Sequence, residues 1–283
     1  MVESNLASCR ESGAEPRVLE SNEAVCLFAF VTGPSAHETL LPGDAREQRL
    51  MLHRVGSVVA LTSIVPLTDY CGAEAERRLA DITWLAPRVH QHATLVEWAM
   101  RLSPVFPAPF GTLYLSLDSL TAFMHAHEAK IADFLRTVAG KEEWELRASA
   151  DLNGHEILEQ LAGNLWPDWQ ALTKGTRYMR LCRDRSVLVE QGRAEAVALL
   201  HDFVAELEPL TAAVHQHGVG GRTEVGGLEP IARYALLVAK KDVTSLQESV
   251  REAGNRAAHK HIGIALSGPW PPFSFRPNLE SPY

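Results

Sequence analysis

The apolar positions of the chain change period several times, and each change marks a new element. "AVCLFAFVTG", residues 24–33, is a nearly continuous apolar run closed by Gly33-Pro34, which predicts a strand. "VGSVVALTSIVPL", residues 55–67, predicts another strand or two short ones, and the two runs should pair as neighbours. From Asp81 the spacing switches. Ile82, Leu85, Val89, His92, Val96 and Ala99 recur three and four apart, as one face of a helix does, and Pro87 should kink that helix or delay its start. After the proline-rich connector "PVFPAPFGT", residues 104–112, a second helical stripe runs through Leu120, Met124, His127, Ile131, Phe134 and Val138, with Gly140 as its stop.

Beyond Gly140 the order of elements carries the fold. In "EWELRAS", residues 143–149, Glu143 and Glu145 take one side and Trp144 and Leu146 the other, as in a strand with one packed face. A helical region follows, including a long amphipathic stretch from about Val187 to His217 with a kink near Pro209. The glycine-rich "GVGGRTEVGG", residues 218–227, should hold a short strand around Arg222 to Val225. Then come a strand over Ile231 to Ala239, a helix over Val243 to Ala258 and a strand over Ile262 to Gly268. That order, β-α-β-β-α-β, is the ferredoxin-like one, with helices on one face of an antiparallel sheet.

The fold class is therefore α+β in two domains: an N-terminal α+β domain over 23–139 and a C-terminal ferredoxin-like (βαββαβ) domain over 140–268. Residues 1–22 should form a flexible N-terminal extension. Residues 269–283 should form an extended aromatic-proline C-terminal tail packing on the N-terminal domain. In "SGPWPPFSF", residues 267–275, Pro269, Pro271 and Pro272 hold the chain extended while Trp270, Phe273 and Phe275 carry large apolar surface. Trp270, Pro271, Pro272, Phe273 and Phe275 are the candidate site, either an interdomain latch or a docking motif for a partner.

Composition narrows the possible functions. With 46% hydrophobic and 22% charged residues over 283 positions, the chain should be folded for most of its length. No apolar run approaches the roughly 18 residues that suggest a membrane span. The polar opening lacks an apolar signal core, so a cytoplasmic protein is expected. A formal net charge of −8 with scattered Lys and Arg argues against nucleic acid as a partner. Cys9, Cys26, Cys71 and Cys182 form no C-x-x-C pair and read as reduced structural thiols.

Histidine offers the strongest chemical signal. The 12 histidines include four H-x-H pairs: His90/His92, His125/His127, His215/His217 and His259/His261. In a helix such a pair diverges, and the first three pairs fall in predicted helices: in the first two His92 and His127 should be buried with His90 and His125 solvated, and His215 and His217 should end a helix just before Gly218, where positive charge suits the dipole. His259 and His261, leading into a strand, keep a ligand-like geometry, yet two ligands without nearby Cys, Asp or Glu make a weak site. His37-Glu38, His127-Glu128 and His155-Glu156 start like H-E-x-x-H but lack the second histidine. Glu142, Glu143 and Glu145 read as a charged strand edge rather than an acid-base group. No catalytic, cofactor-binding or metal-binding residue is assigned. The competing class is a ferredoxin-like small-molecule or metal-binding protein, or an enzyme, built on His259 and His261.

Several stretches together resemble the gas vesicle protein L/F family (GvpL/GvpF): "GPWPPFSF" from Gly268, "GKEEWELRA" from Gly140, "PAPFGT" from Pro107, "ITWLAPRVHQH" with Trp84, Leu85 and His92, and "ARYALLVAKKD" from Ala232. Phe273 stands where that family usually has tyrosine, and Pro87 interrupts a helix usually free of it. The resemblance implies an accessory or minor structural protein of gas vesicle assembly without catalysis or cofactor. It implies as partners the hydrophobic shell protein (GvpA type) and other gas vesicle proteins, and a location in the cytoplasm and at the vesicle.

Overall fold

The computed structural model describes residue 20 and residues 22–32, 50–218 and 228–279. Nearly all of the expected N-terminal extension, the closure at Gly33-Pro34 and the expected strand around Arg222 lie outside the described residues. The fold is mixed α and β with antiparallel sheets, and it divides into two compact units. One runs to Gly140 and takes up the chain again from Pro271; the other spans Lys141–Trp270.

The first unit is organised around β1 (Glu23–Thr32), whose interior residues are all buried. It pairs antiparallel with β3 (Val58–Pro66), from Glu23 opposite Pro66 to Thr32 opposite Val58. β2 (Leu50–Val55) joins β3 in a hairpin in which Val55 faces Val58 across Gly56-Ser57, and Gly56 takes a φ of +55° that suits glycine there. The apolar run at 55–67 thus holds one strand and the last residue of its predecessor. β4 (Val105–Pro107) and β5 (Leu113–Tyr114) pair with β1 on its other edge.

α1 (Ala73–Ala80) is followed at once by α2 (Ile82–Leu102), which Asp81 caps by accepting from the Thr83 N–H at 2.9 Å. Pro87 lies inside α2 and does not delay its start; it removes the single N–H that would bond the Thr83 carbonyl, and the flanking turns keep their own bonds. Leu95, Val96 and Ala99 of α2 pack with Cys26, Phe28 and Val31. α3 (Leu117–Val138), started by a Ser116/Ser119 capping box, covers the opposite face, where Phe123 stacks on Phe30 and Phe134 meets Phe106 edge-on with centroids 4.9 Å apart.

The second unit contains β6 (Lys141–Ala150), α4 (His155–Leu165), α5 (Lys174–Glu206), β7 (Thr211–His217), β8 (Glu229–Ala239), α6 (Val243–Ala258) and β9 (Ile262–Trp270). Its strands lie in the order β7-β8-β6-β9, every neighbour antiparallel. Trp144, Leu146, Ala148 and Ala150 of β6 form a core with Leu200 and Phe203 of α5 and Leu246 and Val250 of α6.

Two sequence expectations are corrected here. The long helix ends at Glu206 rather than His217. Pro209 sits in a 3-10 turn, Glu208–Leu210, and Thr211–His217 takes up the edge of the sheet beside β8. The Glu143/Glu145 strand is no edge but an interior strand between β8 and β9. Glu145, 7% exposed, accepts a hydrogen bond from Arg147 at 2.8 Å and another from Arg233. Burial alone would raise its pKa, but the two guanidiniums outweigh that and hold the carboxyl below its ordinary range.

Candidate functional site: the aromatic-proline tail and its cleft

The tail begins where β9 ends. Trp270 closes that strand opposite Glu143 and remains 41% exposed, its indole N–H 3.4 Å from Ser267 Oγ. Pro271 and Pro272 are buried. Phe273–Phe275 form a 3-10 turn that leaves Phe273 37% exposed and Phe275 half-buried. The five candidate residues therefore split, with the prolines and Phe275 turned inward and Trp270 and Phe273 presenting aromatic surface to water.

From Pro271 onward the tail belongs to the first unit. There Arg276 Nη1 lies 3.5 Å from the Pro107 carbonyl oxygen. Arg276, Pro277 and Leu279 line a cleft of about 580 Å³ together with Phe106, Tyr114 and Phe123. Burial raises the Tyr114 hydroxyl well above its ordinary pKa, so this wall is neutral. The sequence reading missed Arg276; the signal was a lone cation, directly after the aromatic run, facing a connector rich in proline and therefore poor in N–H groups.

That connector is the loop of "PAPFGT". Ala108 N–H donates to the Phe28 carbonyl and Leu27 N–H to the Thr112 carbonyl, both at 2.9 Å, so the loop is bonded to β1 at both ends. Between them Thr112 N–H reaches back to the Pro109 carbonyl at 3.2 Å while Gly111 holds φ at +79°, the positive value that the third position of a type II turn needs. Phe110 projects from this turn against His92 and Tyr70, with centroids 5.7 and 6.0 Å away.

The histidine pairs resolve as follows. His90 and His125 are exposed, His92 is buried and His127 half-buried against Phe123, as helical pairs should be. His215 and His217 lie on strand β7 rather than in a helix, so their rings share a side, 4.9 Å apart. His217 faces Arg233, and its pKa is lowered by burial first and then by that cation. His259 caps α6 and His261 occupies a turn with φ of +55°, so the ligand-like strand geometry expected for this pair is absent. Among the described residues no group of three His, Cys, Asp or Glu side chains is placed to hold a metal ion. Cys26, Cys71 and Cys182 are free thiols. No helix among the described residues is long and apolar enough to cross a membrane.

Residues 24–277 match the family of gas vesicle synthesis proteins GvpL/GvpF. The chain belongs to the GvpL/GvpF family. It is 24% identical over 230 residues to gas vesicle protein L of a Streptomyces species, covering 80% of this chain and 82% of the relative. It is 29% identical over 114 residues to gas vesicle protein L2 of Halobacterium salinarum, covering 37% and 38%. Among solved structures, GvpF of Anabaena superposes with a TM-score of 0.67 at 13% identity, covering 92% of this chain and 99% of that one. GvpF of Microcystis aeruginosa gives 0.63 at 13%, covering 90% and 99%. At those identities the structures speak for the GvpL/GvpF fold alone. Membership places the protein in gas vesicle assembly, in a family not known for catalysis.

Proposed function

We propose that this GvpL/GvpF protein is a non-catalytic, cytoplasmic assembly component that binds the hydrophobic shell subunit (GvpA type) and other gas vesicle proteins. The second unit serves it as a ferredoxin-like domain. The observation that carries the reading is the family match over residues 24–277, which takes in the tail as far as Pro277. Physical chemistry supplies the motive: a shell subunit with one strongly apolar surface aggregates before assembly unless a folded partner holds or nucleates it.

Within this reading the tail has two parts. Pro271, Pro272 and Phe275 anchor it on the first unit as a latch, with Arg276 bonded to the "PAPFGT" connector. Trp270 and Phe273 remain open, and aromatic side chains contribute large contact area at low conformational cost, which suits a docking contact with a partner. The test is vesicle formation in cells lacking the protein and supplied with either the intact chain or W270A/F273A. Restoration by the intact chain supports the assembly role, and loss with the folded double variant supports docking; restoration by both refutes the docking part.

A further inference from the structure

The inward face of α2 changes character halfway along. Leu95 and His92 are buried on it; one turn before His92 and two turns before Leu95, the same face carries Arg88 where packing would call for an apolar side chain. Here the helix does not close on the sheet. A cavity of about 500 Å³ lies between this half of α2 and strand β1, within the range of small-molecule pockets. Its apolar walls come from Phe28, Tyr70 and Phe110.

Two polar groups in it lack part of what they need. The Arg88 guanidinium stacks on the Trp84 ring at 3.9 Å and donates to the Trp84 carbonyl, but no carboxylate among the described residues pairs with it. His92, 5% exposed, donates from Nε2 to the Ala108 carbonyl at 3.0 Å, which leaves Nδ1 as an acceptor with no partner among the described residues. Asp69, the one acid lining the cavity, is already engaged by Arg78. Burial pushes the Cys26 thiol and the Tyr70 hydroxyl both up to about 12, so both stay neutral. The cavity thus offers one uncompensated cation, one buried acceptor and aromatic walls.

We propose that this cavity is a binding site for a small planar aromatic carboxylate that also carries an N–H or O–H donor. The carboxylate pairs with Arg88, the donor satisfies His92 Nδ1, and the ring lies among Phe28, Tyr70 and Phe110. Each ligand feature answers one deficit: a neutral ligand would leave Arg88 unpaired, and a ligand without a donor would leave the buried imidazole nitrogen unsatisfied. This site is separate from the tail cleft, so its failure would leave the assembly reading untouched.

Three matched probes test it by calorimetric titration of the full-length protein: indole-3-acetate, indole-3-acetamide without the charge, and naphthalene-1-acetate without the donor. Indole-3-acetate is expected to bind at least tenfold more tightly than the amide and severalfold more tightly than the naphthalene acid. In R88M the acid should lose its advantage over the amide, and in R88K part of it should return. Should R88M fail to fold, the ranking of the three probes on the unaltered chain decides. Equal binding of acid and amide, binding of none of the three by cooperatively folded protein, or a preference that survives R88M would overturn the proposal.

Discussion

The Nε2–H of His92 donates to the carbonyl oxygen of Ala108 across 3.0 Å, tying the middle of helix α2 to the connector that bonds β1 at both ends. One buried imidazole therefore positions the loop against which the tail's Arg276 rests.

Burial of this imidazole makes stability sensitive to mild acid. Burial lowers the His92 pKa, and the bond to Ala108 offsets only part of that shift. In the unfolded chain a histidine titrates near about 6.5, so on acidification the unfolded state takes up the proton first. The stabilisation is complete above that value and declines as pH falls toward the depressed folded value. His53 and His217 are shifted in the same direction and add to the slope. The melting temperature should fall between about pH 7 and 5, and H92Q, which keeps a side-chain N–H donor but cannot titrate there, should fall less steeply. Parallel slopes would show that His92 is not responsible.

Gly268 should not tolerate a side chain. A Cβ there would lie 2.9 Å from Trp144 Cδ2 and 3.1 Å from the Glu143 carbonyl oxygen, and its φ is +151°. A packed indole and an interior strand have little room to yield. G268A should cost about 1–3 kcal/mol, read as a lower urea midpoint with unchanged slope. No change in midpoint would mean that the β6–β9 pairing is looser than described.

Glu145 is buried, whereas the side chains of its partners Arg147 and Arg233 are at least half exposed. Either arginine alone can keep the carboxylate paired. R147A and R233A should each destabilise modestly, while the double variant should exceed their sum by about 1 kcal/mol or more, because only then is a buried charge left uncompensated. A double-mutant cycle in denaturant checks this, and strict additivity would contradict it.

Elements with a strong apolar period could be read from the sequence. The helix at Val243–Ala258 has the residues expected of it, and β1 and β8 match their apolar runs to within two residues. β7 was hidden for a physical reason. "TAAVHQH" is an edge strand with mostly exposed side chains, so it carries no apolar alternation, and its two alanines extend the pattern of α5. Glu208-Pro209 was the available signal, since a proline ends the helix before it. β2 was hidden by its neighbour, because the run at 55–67 crosses a two-residue turn at Gly56-Ser57. At the candidate site the tail's aromatics stood out, but Arg276 and the His92–Ala108 bond did not. Both meet backbone carbonyls, and a carbonyl leaves no mark on side-chain pattern.

Removing the tail should loosen the first unit. A chain ending at Trp270 loses the Arg276 bond and uncovers the wall of Phe106, Tyr114 and Phe123. Its melting temperature should drop, with faster amide exchange in β4 and β5. Unchanged exchange in those strands would exclude the latch.

The central claim is a role in gas vesicle assembly through contact with the shell subunit. The most direct measurement is co-purification of that subunit with this protein after co-expression, comparing the intact chain with one ending at Ser267. The account predicts capture by the intact chain and weakened capture by the truncated one. Well-folded intact protein that brings down no shell subunit would contradict it.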